Sequence, residues 1–337
     1  MNIALRVSAP GGASTIQDLG RPGFQRYGVS EAGAMDRLAL RIANLLVGNG
    51  EAEACIEFAV VGGAYEALGG PCRIAIAGGD FAVAVDGGRL SAYQSFDLRE
   101  GSILSVGRSR SGVYGYLAVR GGFDIAPALG SRSTHMRSGI GGRALQARAT
   151  LPLREARTPL GPALFLERAS WPRHDGPIRV VMGPQDDFFT PKGIADFLAD
   201  DYRIAFQSDR MGYRLEGPPI EHAGDFNIVS DGIALGSIQV PGTRQPIVLL
   251  ADRQSTGGYP KIATVVSSDI RRLVQRGPQE LIRFAAVSPD EAEKIVKEDN
   301  VTFNRFHSQI READIDPHDS ARLLRLNLVG GFIDGDV

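Results

Sequence analysis

Alternating apolar and polar positions predict a chain built mainly from β-strands. Near the N-terminus, Ile3, Leu5 and Val7 show the period of two that is typical of a half-buried strand. Similar patterns predict further strands at residues 55–61, 73–77, 81–85, 98 with 103–106, and 113–119. The glycines of Asp86-Gly-Gly88 predict a hairpin turn. Strands at this spacing favour a barrel or sandwich over a parallel α/β sheet.

A second series of short strands follows, with a few helices between them. These strands are predicted at residues 178–182, 203–206, 226–229, 233–240, 247–251, 262–266 and 281–284. Asp36 is expected to cap a helix, Pro191 to occupy the first helical position after Thr190, and Ser288-Pro-Asp-Glu291 to form a capping box before a helix near 291–297. The predicted fold class is therefore mainly β with some α.

The length of 337 residues favours two domains, because domains commonly hold about 100 to 200 residues. We predict an N-terminal β-rich subdomain at 1–175 and a C-terminal β-rich subdomain at 176–337. Regular periodicity fades in a loop rich in glycine and arginine at 121–175, inside the first subdomain. A loop of this length is either a linker or a binding loop.

The bulk composition argues against several classes of function. A net charge of -2 and a pI near 6.2 give no general reason to bind nucleic acid or acidic membranes. Cys55 and Cys72 are too few for a disulfide framework, and the five histidines show no metal-ligand spacing. The N-terminus lacks a secretory signal, and no apolar run approaches the ~18 residues of a membrane span. We expect a cytoplasmic protein with no metal site, no nucleic-acid partner and no membrane partner.

The first of two polar, glycine-rich motifs lies between the opening strand and the first helix. Gln17, Asp18 and Arg21 stand among turn glycines, and Asp36 follows Gly33-Ala-Met. Such a mixture lets backbone approach a ligand while several hydrogen-bonding groups converge on it. These four residues are therefore candidate binding residues. A structural ion pair and a helix cap explain them equally well.

The second motif is the stronger candidate site. Asp252 is expected to emerge at the end of a buried strand, where a rigid support presents chemistry to a ligand. Lys261 and backbone amides of the loop can stabilise an oxyanion, and Tyr259 can line a planar ring. The remaining candidate residues of this loop are Ser255, Thr256, Gly257 and Gly258. A tight turn with an exposed lysine is the structural alternative.

Two further observations add to this motif. Lysine is rare among the 37 basic residues, and a lysine inside a glycine-rich motif suggests that a compact ammonium is needed there. The lysines are Lys192, Lys261, Lys294 and Lys297. Gln239 precedes Pro241-Gly242 and is expected to point into the same pocket, while Asp209 and Arg210 are a candidate ion pair.

Arginines with nearby hydroxyls are concentrated in the stretch 130–143. Arg132 and Arg137 are candidate ligands for a carboxylate or phosphate, since guanidinium groups bind such anions with two parallel hydrogen bonds. A solvated basic loop explains the stretch equally well. The sequence contains no phosphate-binding loop, nucleophile elbow, dinucleotide fingerprint or biotin-carrier Met-Lys-Met.

Several ordered blocks make the chain resemble the allophanate hydrolase subunit 2 family, also described as the biotin-dependent carboxyltransferase family, which includes the C-type subunit of 5-oxoprolinase. The resemblance covers most of the chain. Its blocks are Thr15-Ile-Gln-Asp-Leu-Gly-Arg-Pro-Gly23, Gly33-Ala-Met-Asp36 with Ala43-Asn-Leu-Leu-Val-Gly-Asn49, Gly130-Ser-Arg-Ser-Thr134, Ser208-Asp-Arg-Met-Gly-Tyr213, and Gln239-Val-Pro-Gly242 with Asp252-Arg-Gln-Ser-Thr-Gly-Gly-Tyr-Pro-Lys261.

The resemblance implies two cyclophilin-like β-barrel subdomains and a cleft shared with a sister subunit. That partner would be of the allophanate hydrolase subunit 1 type, which includes the B-type subunit of 5-oxoprolinase, and the A-type subunit would be a third member. In such complexes, 5-oxoproline is opened to glutamate with ATP. In urea carboxylase, the fused equivalent transfers a carboxyl group from carboxybiotin to urea. A regulatory family member that antagonises a kinase inhibitor is the non-enzymatic alternative.

Carried onto this sequence, Tyr259 and Lys261 match the family's Gly-Gly-Tyr-Pro-Lys block and would contact substrate or biotin. Two residues depart from the family pattern: Arg244 stands where glycine or another small residue is expected, and Ser255 stands where threonine is expected. The bulk and charge of Arg244 would either favour a substrate with a carboxylate or partly block a route for biotin. Our first hypothesis is a C-type subunit of 5-oxoprolinase in which Lys261 polarises the lactam oxygen and Asp252 orients that lysine. ATP with Mg²⁺ would act in the assembled complex. Biotin belongs to the carboxyltransferase alternative, and no cofactor is expected to be covalently bound to this chain.

Overall fold

Two antiparallel sheets bury one core in the first half of the chain. The computed structural model describes residues 3–154, 162–167 and 176–312. The elements of the first half are β1 (Ala4–Pro10), β2 (Thr15–Gln17), α1 (Arg37–Leu46), β3 (Cys55–Ala59), β4 (Val61–Leu68), β5 (Cys72–Gly78), β6 (Phe81–Val85), β7 (Gly88–Leu90), β8 (Ser95–Leu98), β9 (Ile103–Ser109), β10 (Tyr114–Val119) and β11 (Thr150–Pro152).

The strand order explains why β5 and β10 are buried along their whole length. One sheet has the order β11-β1-β4-β9-β6-β7 and the other β2-β3-β10-β5-β8. Alternate residues of the two sheets, such as Leu5, Ile76 and Leu104, form the core between them. On its other face the second sheet packs against α1, so every residue of β5 and β10 is buried. Burial on both faces removes the usual apolar and polar alternation.

A single eight-stranded sheet dominates the second half. The later elements are β12 (Leu164–Phe165), β13 (Ile178–Met182), α2 (Pro191–Ala199), β14 (Tyr202–Ile204), β15 (Gly212–Glu216), β16 (Asp231–Gly232), β17 (Ser237–Gln239), β18 (Ile247–Leu249), β19 (Thr256–Gly257), β20 (Lys261–Val265), α3 (Ile270–Val274), β21 (Leu281–Ile282), β22 (Phe284–Ala286), α4 (Pro289–Gln309) and β23 (Arg311–Glu312). Short 3-10 helices lie at Gln25–Tyr27, Asp186–Phe188 and Ser267–Asp269.

The eight-stranded sheet curls into a nearly closed barrel. Its order is β21-β14-β15-β18-β17-β20-β13-β22. The two edge strands, β21 and β22, are separated in sequence only by Arg283, so the sheet's two edges lie next to each other in the chain. The small pair β16 and β19 lies outside this sheet, and β12 pairs with β23. The predicted fold class, mainly β with some α, is confirmed.

A second core joins the two halves. It combines α1 and the outer face of β10, including Leu40 and Tyr116, with second-half residues such as Val180 and Ile238 and with Phe303 of α4. The guanidinium of Arg41 lies 3.3 Å from the centroid of the Phe303 ring. The proposed boundary at residues 175 and 176 stays a prediction, because residue 175 lies outside the described residues.

Helix caps were predicted better than strand limits. Asp36 caps α1 through Ala39 N, Thr190 caps α2, and Ser288 forms the capping box of α4, which is longer than predicted. The strand predicted at 226–229 is wrong, because this segment is exposed and pairs with no sheet strand. The strand predicted at 233–240 is only Ser237–Gln239, and β4 and β15 were missed because both contain glycine.

Within the described ranges, no helix is long and apolar enough to cross a membrane.

Candidate functional site

The two glycine-rich motifs, far apart in sequence, meet where the two halves of the chain contact each other. Gln25 Nε2 donates to Ile233 O at 2.6 Å and to Ser255 O at 3.1 Å. Nearby, Arg253 forms an ion pair with Glu31 at 3.2 Å. The contact therefore joins the loop before α1 to the loop after β18.

The first-motif residues Gln17, Asp18 and Arg21 are buried and hold the glycine- and arginine-rich loop. Asp18 Oδ1 accepts from the hydroxyls of Ser131 and Ser133 at 2.6 and 2.5 Å, and Asp18 Oδ2 accepts from Arg132 N at 2.6 Å. Gln17 Nε2 donates to Thr134 O at 2.8 Å, and Arg21 donates to Ser133 O. Burial lowers the pKa of Arg21, although the negative charges of Asp18 and Asp252 act in the opposite direction. The loop at 130–134 is thus a packed segment of the first half.

Asp36 has a structural role as a helix cap. Its Oδ1 accepts from Ala39 N at 3.0 Å, and its Oδ2 accepts from Gln275 Nε2 at 2.8 Å. Burial raises the pKa of Asp36, although both hydrogen bonds oppose the shift. Gln275 also binds Tyr114 O and N, so this cap is tied to the second half.

The two candidate anion-binding arginines differ in exposure. Arg132 is half-buried, and its Nε donates to Ile125 O at 2.6 Å. Arg137 is exposed, and its Nη1 lies 3.1 Å from Met211 Sδ. Arg137 lines two cavities between the halves, of about 520 and 240 Å³, which also share Met211 and Asp252. The two arginines thus have different surroundings, and their role as anion ligands stays a prediction.

A buried ion network, which we call the interface cluster, consists of Glu57, Arg210 and Asp252. Arg210 Nε and Nη2 donate to the two carboxylate oxygens of Asp252 at 3.0 and 2.8 Å. Arg210 Nη1 donates to Glu57, which accepts from Tyr116 Oη at 2.7 Å. Burial alone would lower the pKa of Arg210, but the charges of Glu57 and Asp252 outweigh it and raise the pKa. The cluster ties β3 of the first half to the second half.

The predicted role of Asp252 is wrong in one respect. It stands after β18, as predicted, but both of its carboxylate oxygens bind Arg210 and not Lys261. The buried carboxylate of Asp252 is paired with the guanidinium of Arg210, and a bidentate pair of this kind fixes the orientation of the carboxylate. The predicted ion pair of Asp209 with Arg210 is wrong for the same reason, and Asp209 Oδ1 instead accepts from Met211 N at 2.8 Å.

Lys261 lies in a second group, which we call the lysine cluster, with Asp231 and Gln185. Its side chain on β20 is only 2% exposed. Nζ donates to Asp231 Oδ2 at 2.7 Å and to Gly232 O at 3.2 Å. Gln185 Nε2 donates to the same Asp231 oxygen at 3.2 Å. The hydrogen bond from Lys261 is the main reason that the pKa of Asp231 is lowered, and Gly232 N and Gln185 add to the shift.

The loop of the second motif builds this cluster. Strand β19 pairs with β16, which places Asp231 opposite Gly257. A side chain at Gly257 would meet Gln239 Nε2 and Ile233 Cδ1 at 2.7 Å, so these two buried side chains would have to shift to admit it. Buried Gln239 donates from Nε2 to Tyr259 O at 3.2 Å. Tyr259 is 40% exposed. Gln239 and Tyr259 therefore lie beside the lysine cluster, and their contact with a substrate stays a prediction.

The other predicted binding residues lie at the surface. Thr256 and Arg244 are exposed, whereas Ser255 and Gly258 are half-buried. Arg244 has a φ of 61° in a turn, where its N donates to Pro241 O at 2.8 Å. Its guanidinium was predicted to add charge near the pocket, and its effect on the substrate stays a prediction.

Within the described ranges, no group of three or more His, Cys, Asp or Glu is placed to hold a metal ion.

Comparison with known proteins supplies the family. The family profile described as "Carboxyltransferase domain, subdomain A and B" matches residues 27–286. The chain belongs to this carboxyltransferase-domain family. It is 37% identical over 305 residues to the 5-oxoprolinase C subunit of Haemophilus influenzae, covering 89% of this chain and 96% of that protein. It is 35% identical over 295 residues to the 5-oxoprolinase C subunit of Escherichia coli, covering 86% and 93%.

A solved carboxyltransferase-domain relative is similar in fold as well. The urea amidolyase of Kluyveromyces lactis superposes with a TM-score of 0.83 and 27% identity over 92% of this chain. This chain spans only 20% of that much longer protein. The predicted resemblance to the family that includes the C-type subunit of 5-oxoprolinase is thus confirmed, and relatives of this chain are parts of enzymes.

Sequence reasoning missed four residues of the two clusters. Arg210 lay inside a recognised block but was given the wrong partner, and Asp231 lay in a polar, glycine-rich stretch without an assigned role. Glu57 interrupts an apolar strand pattern, which is a signal of a buried charge with a partner. Gln185 follows Gly183-Pro184, and the sequence holds no sign that it faces Lys261.

Proposed function

We propose that this chain is the C-type subunit of an ATP-dependent 5-oxoprolinase and contributes half of the site that opens 5-oxoproline to glutamate. The observation that carries the proposal is the end-to-end match to the C subunit of 5-oxoprolinase, since the alignment covers 89% of this chain and 96% of the Haemophilus influenzae protein.

The lysine cluster supplies suitable chemistry for the reaction. Opening a lactam develops negative charge on its oxygen, and preorganised donors at that oxygen lower the barrier. The Lys261 ammonium and the Gln185 amide already converge on one oxygen atom, that of Asp231. In the proposed reaction, Lys261 polarises the lactam oxygen or stabilises its phosphorylated form. Asp231, and not Asp252, is the carboxylate that pairs with Lys261.

The proposed site is completed by other subunits. Tyr259 is 40% exposed beside the buried lysine cluster, so one wall of the site opens at the surface of this chain. Water enters an open site and weakens the electrostatic stabilisation there. A subunit that covered the site would exclude this water. We propose that the B-type subunit of 5-oxoprolinase, related to allophanate hydrolase subunit 1, covers it. The A-type subunit, together with ATP and Mg²⁺, completes the complex.

Carboxyl transfer is the second candidate function, because the fold superposes on Kluyveromyces lactis urea amidolyase with a TM-score of 0.83. In that case the same donors would polarise the oxygen of urea or a related amide, and carboxybiotin on another protein would supply the carboxyl group. The two reactions differ in their dependence on biotin, which makes them separable by experiment.

The deciding experiment measures glutamate and ADP formation from 5-oxoproline and ATP. This chain would be coexpressed with its genomic neighbours, and in a matched preparation it would be omitted. We expect turnover that requires this chain and is insensitive to avidin. A properly assembled complex without turnover would refute the proposal, and avidin-sensitive carboxylation of urea would establish the second candidate.

A further inference from the structure

The buried ammonium of Lys261 is neutralised by a residue that is not itself buried. The side chain of Lys261 is 2% exposed, whereas that of Asp231 is 53% exposed. A buried charge is costly unless it is paired and hydrogen-bonded. Asp231 therefore supplies the negative charge that balances Lys261, and it does so from an exposed segment that lies outside the core.

Asp231 belongs to an exposed segment, residues 223–232, which we call the strap. Apart from half-buried Ile228, every residue of the strap is exposed, and Val229 reaches 92%. Its backbone attachments are few: Ala223 N donates to Phe188 O at 2.8 Å, Ile228 N donates to Gly258 O at 2.9 Å, and β16 forms a two-residue ladder with β19. Apart from the Asp231 contacts, Gly232 O accepts from Lys261 Nζ, and the Phe226 ring packs against His222 and Gly242 at the surface. Segments with few buried contacts open at low free-energy cost compared with a core.

The strap places one oxygen atom at the point where two fixed donors converge. Asp231 Oδ2 accepts from Lys261 Nζ at 2.7 Å and from Gln185 Nε2 at 3.2 Å. Gln185 is held in place because its Oε1 accepts from Lys261 N and its own N donates to Lys261 O, both at 3.1 Å. A charged donor and an amide donor aimed at one point form an oxyanion-binding arrangement.

We propose that the Asp231 carboxylate occupies the position of the lactam oxygen, which becomes negatively charged in the reaction, and that the substrate reaches Lys261 by displacing Asp231 together with the strap. The proposal deepens the proposed function and rests on it for the identity of the substrate. It defines the substrate class as well. When Asp231 leaves, the buried ammonium needs a replacement charge, so the entering group carries a negative charge. 5-Oxoproline meets this requirement because it brings a carboxylate into the site together with its lactam oxygen, whereas neutral urea does not.

Chemical labelling of the four lysines tests whether the strap covers Lys261. The full chain would be treated with an amine-reactive acetylating reagent, and acetylation at each lysine followed by mass spectrometry. The exposed residues Lys192, Lys294 and Lys297 are internal references. We expect Lys261 to react at least about tenfold more slowly than they do, and Asp231→Ala to remove most of that protection. Equal reactivity of Lys261 and Lys297 in the parent protein would overturn the proposal.

The substrate class is tested on the Asp231→Ala variant with matched small molecules. We expect 5-oxoproline to slow the labelling of Lys261, and 2-pyrrolidinone, the same lactam ring without a carboxylate, to leave it unchanged. Equal protection by 2-pyrrolidinone or by urea would overturn the requirement for an anion. This measurement does not depend on turnover. A complex that fails to hydrolyse 5-oxoproline would therefore refute the proposed function without deciding the displacement.

A reversible crosslink tests whether the strap must open. Gly232 and Thr256 are register partners, and a side chain at Gly232 would meet nothing within 4 Å. In the double variant Gly232→Cys with Thr256→Cys, oxidation would lock the strap while Asp231 stays in place. We expect turnover of the assembled complex to fall at least about tenfold on oxidation and to recover on reduction. Equal turnover of the oxidised and reduced forms would overturn the displacement.

Discussion

Arg210 and Lys261 are both buried cations, yet the structure neutralises them in different ways. Arg210 lies between two buried carboxylates, Glu57 and Asp252, that come from different halves of the chain. Lys261 is paired with one carboxylate whose side chain is 53% exposed. The first arrangement pairs the cation with two buried carboxylates and holds the halves together. The second leaves a buried ammonium whose partner can be exchanged, which is the property that a binding site needs.

The largest expected effect comes from opening the interface cluster. Arg210→Met removes the only cation of this cluster and leaves two buried carboxylates without it, which typically costs about 3 to 5 kcal/mol of unfolding free energy. Urea denaturation of the full chain measures it. Arg143→Met, at an exposed arginine, is the matched control and should change the free energy by no more than about 0.5 kcal/mol. If Arg210→Met lowered the free energy of unfolding no more than Arg143→Met does, the cluster would not be what holds the two halves together.

The second effect separates catalysis from stability. Lys261→Met should reduce turnover of the assembled complex by about 100- to 1,000-fold, the usual cost of one oxyanion donor. Its free energy of unfolding should change much less than that of Arg210→Met, because exposed Asp231 regains water as its partner. Lys297→Met is the surface control. Near-normal turnover of the Lys261 variant would remove Lys261 from the mechanism.

The smallest effect concerns the loop that builds the lysine cluster. In Gly257→Ala, the new methyl group meets Gln239 Nε2 and Ile233 Cδ1 at 2.7 Å, and such overpacking costs about 1 to 3 kcal/mol. Gly258→Ala is the matched control, since its nearest neighbour is Ile228 O at 3.4 Å, and it should cost no more than about 0.5 kcal/mol. Thermal unfolding of both variants compares them. Equal losses would show that the close approach at Gly257 is not needed.

Local patterns determined the elements of this protein. Alternation predicted most strands, and the caps at Asp36, Thr190 and Ser288 were readable because a cap involves residues only three apart. The second motif was also identified correctly as a place where glycine lets backbone approach a polar group, as Gly257 shows. The family resemblance came from the same blocks, because each block is contiguous in the chain.

Only the tertiary structure decided which charges meet. Asp252 and Lys261 stand nine positions apart in one motif, but Asp252 binds Arg210 and Lys261 binds Asp231. Glu57 reaches Arg210 across 153 positions of sequence. Ion pairing depends on distance in space and on shared burial, and neither is a local property of the chain. The sequence thus determined which polar residues are candidates. The packing of the two halves determined that Arg210 is paired with buried carboxylates and Lys261 with an exposed one.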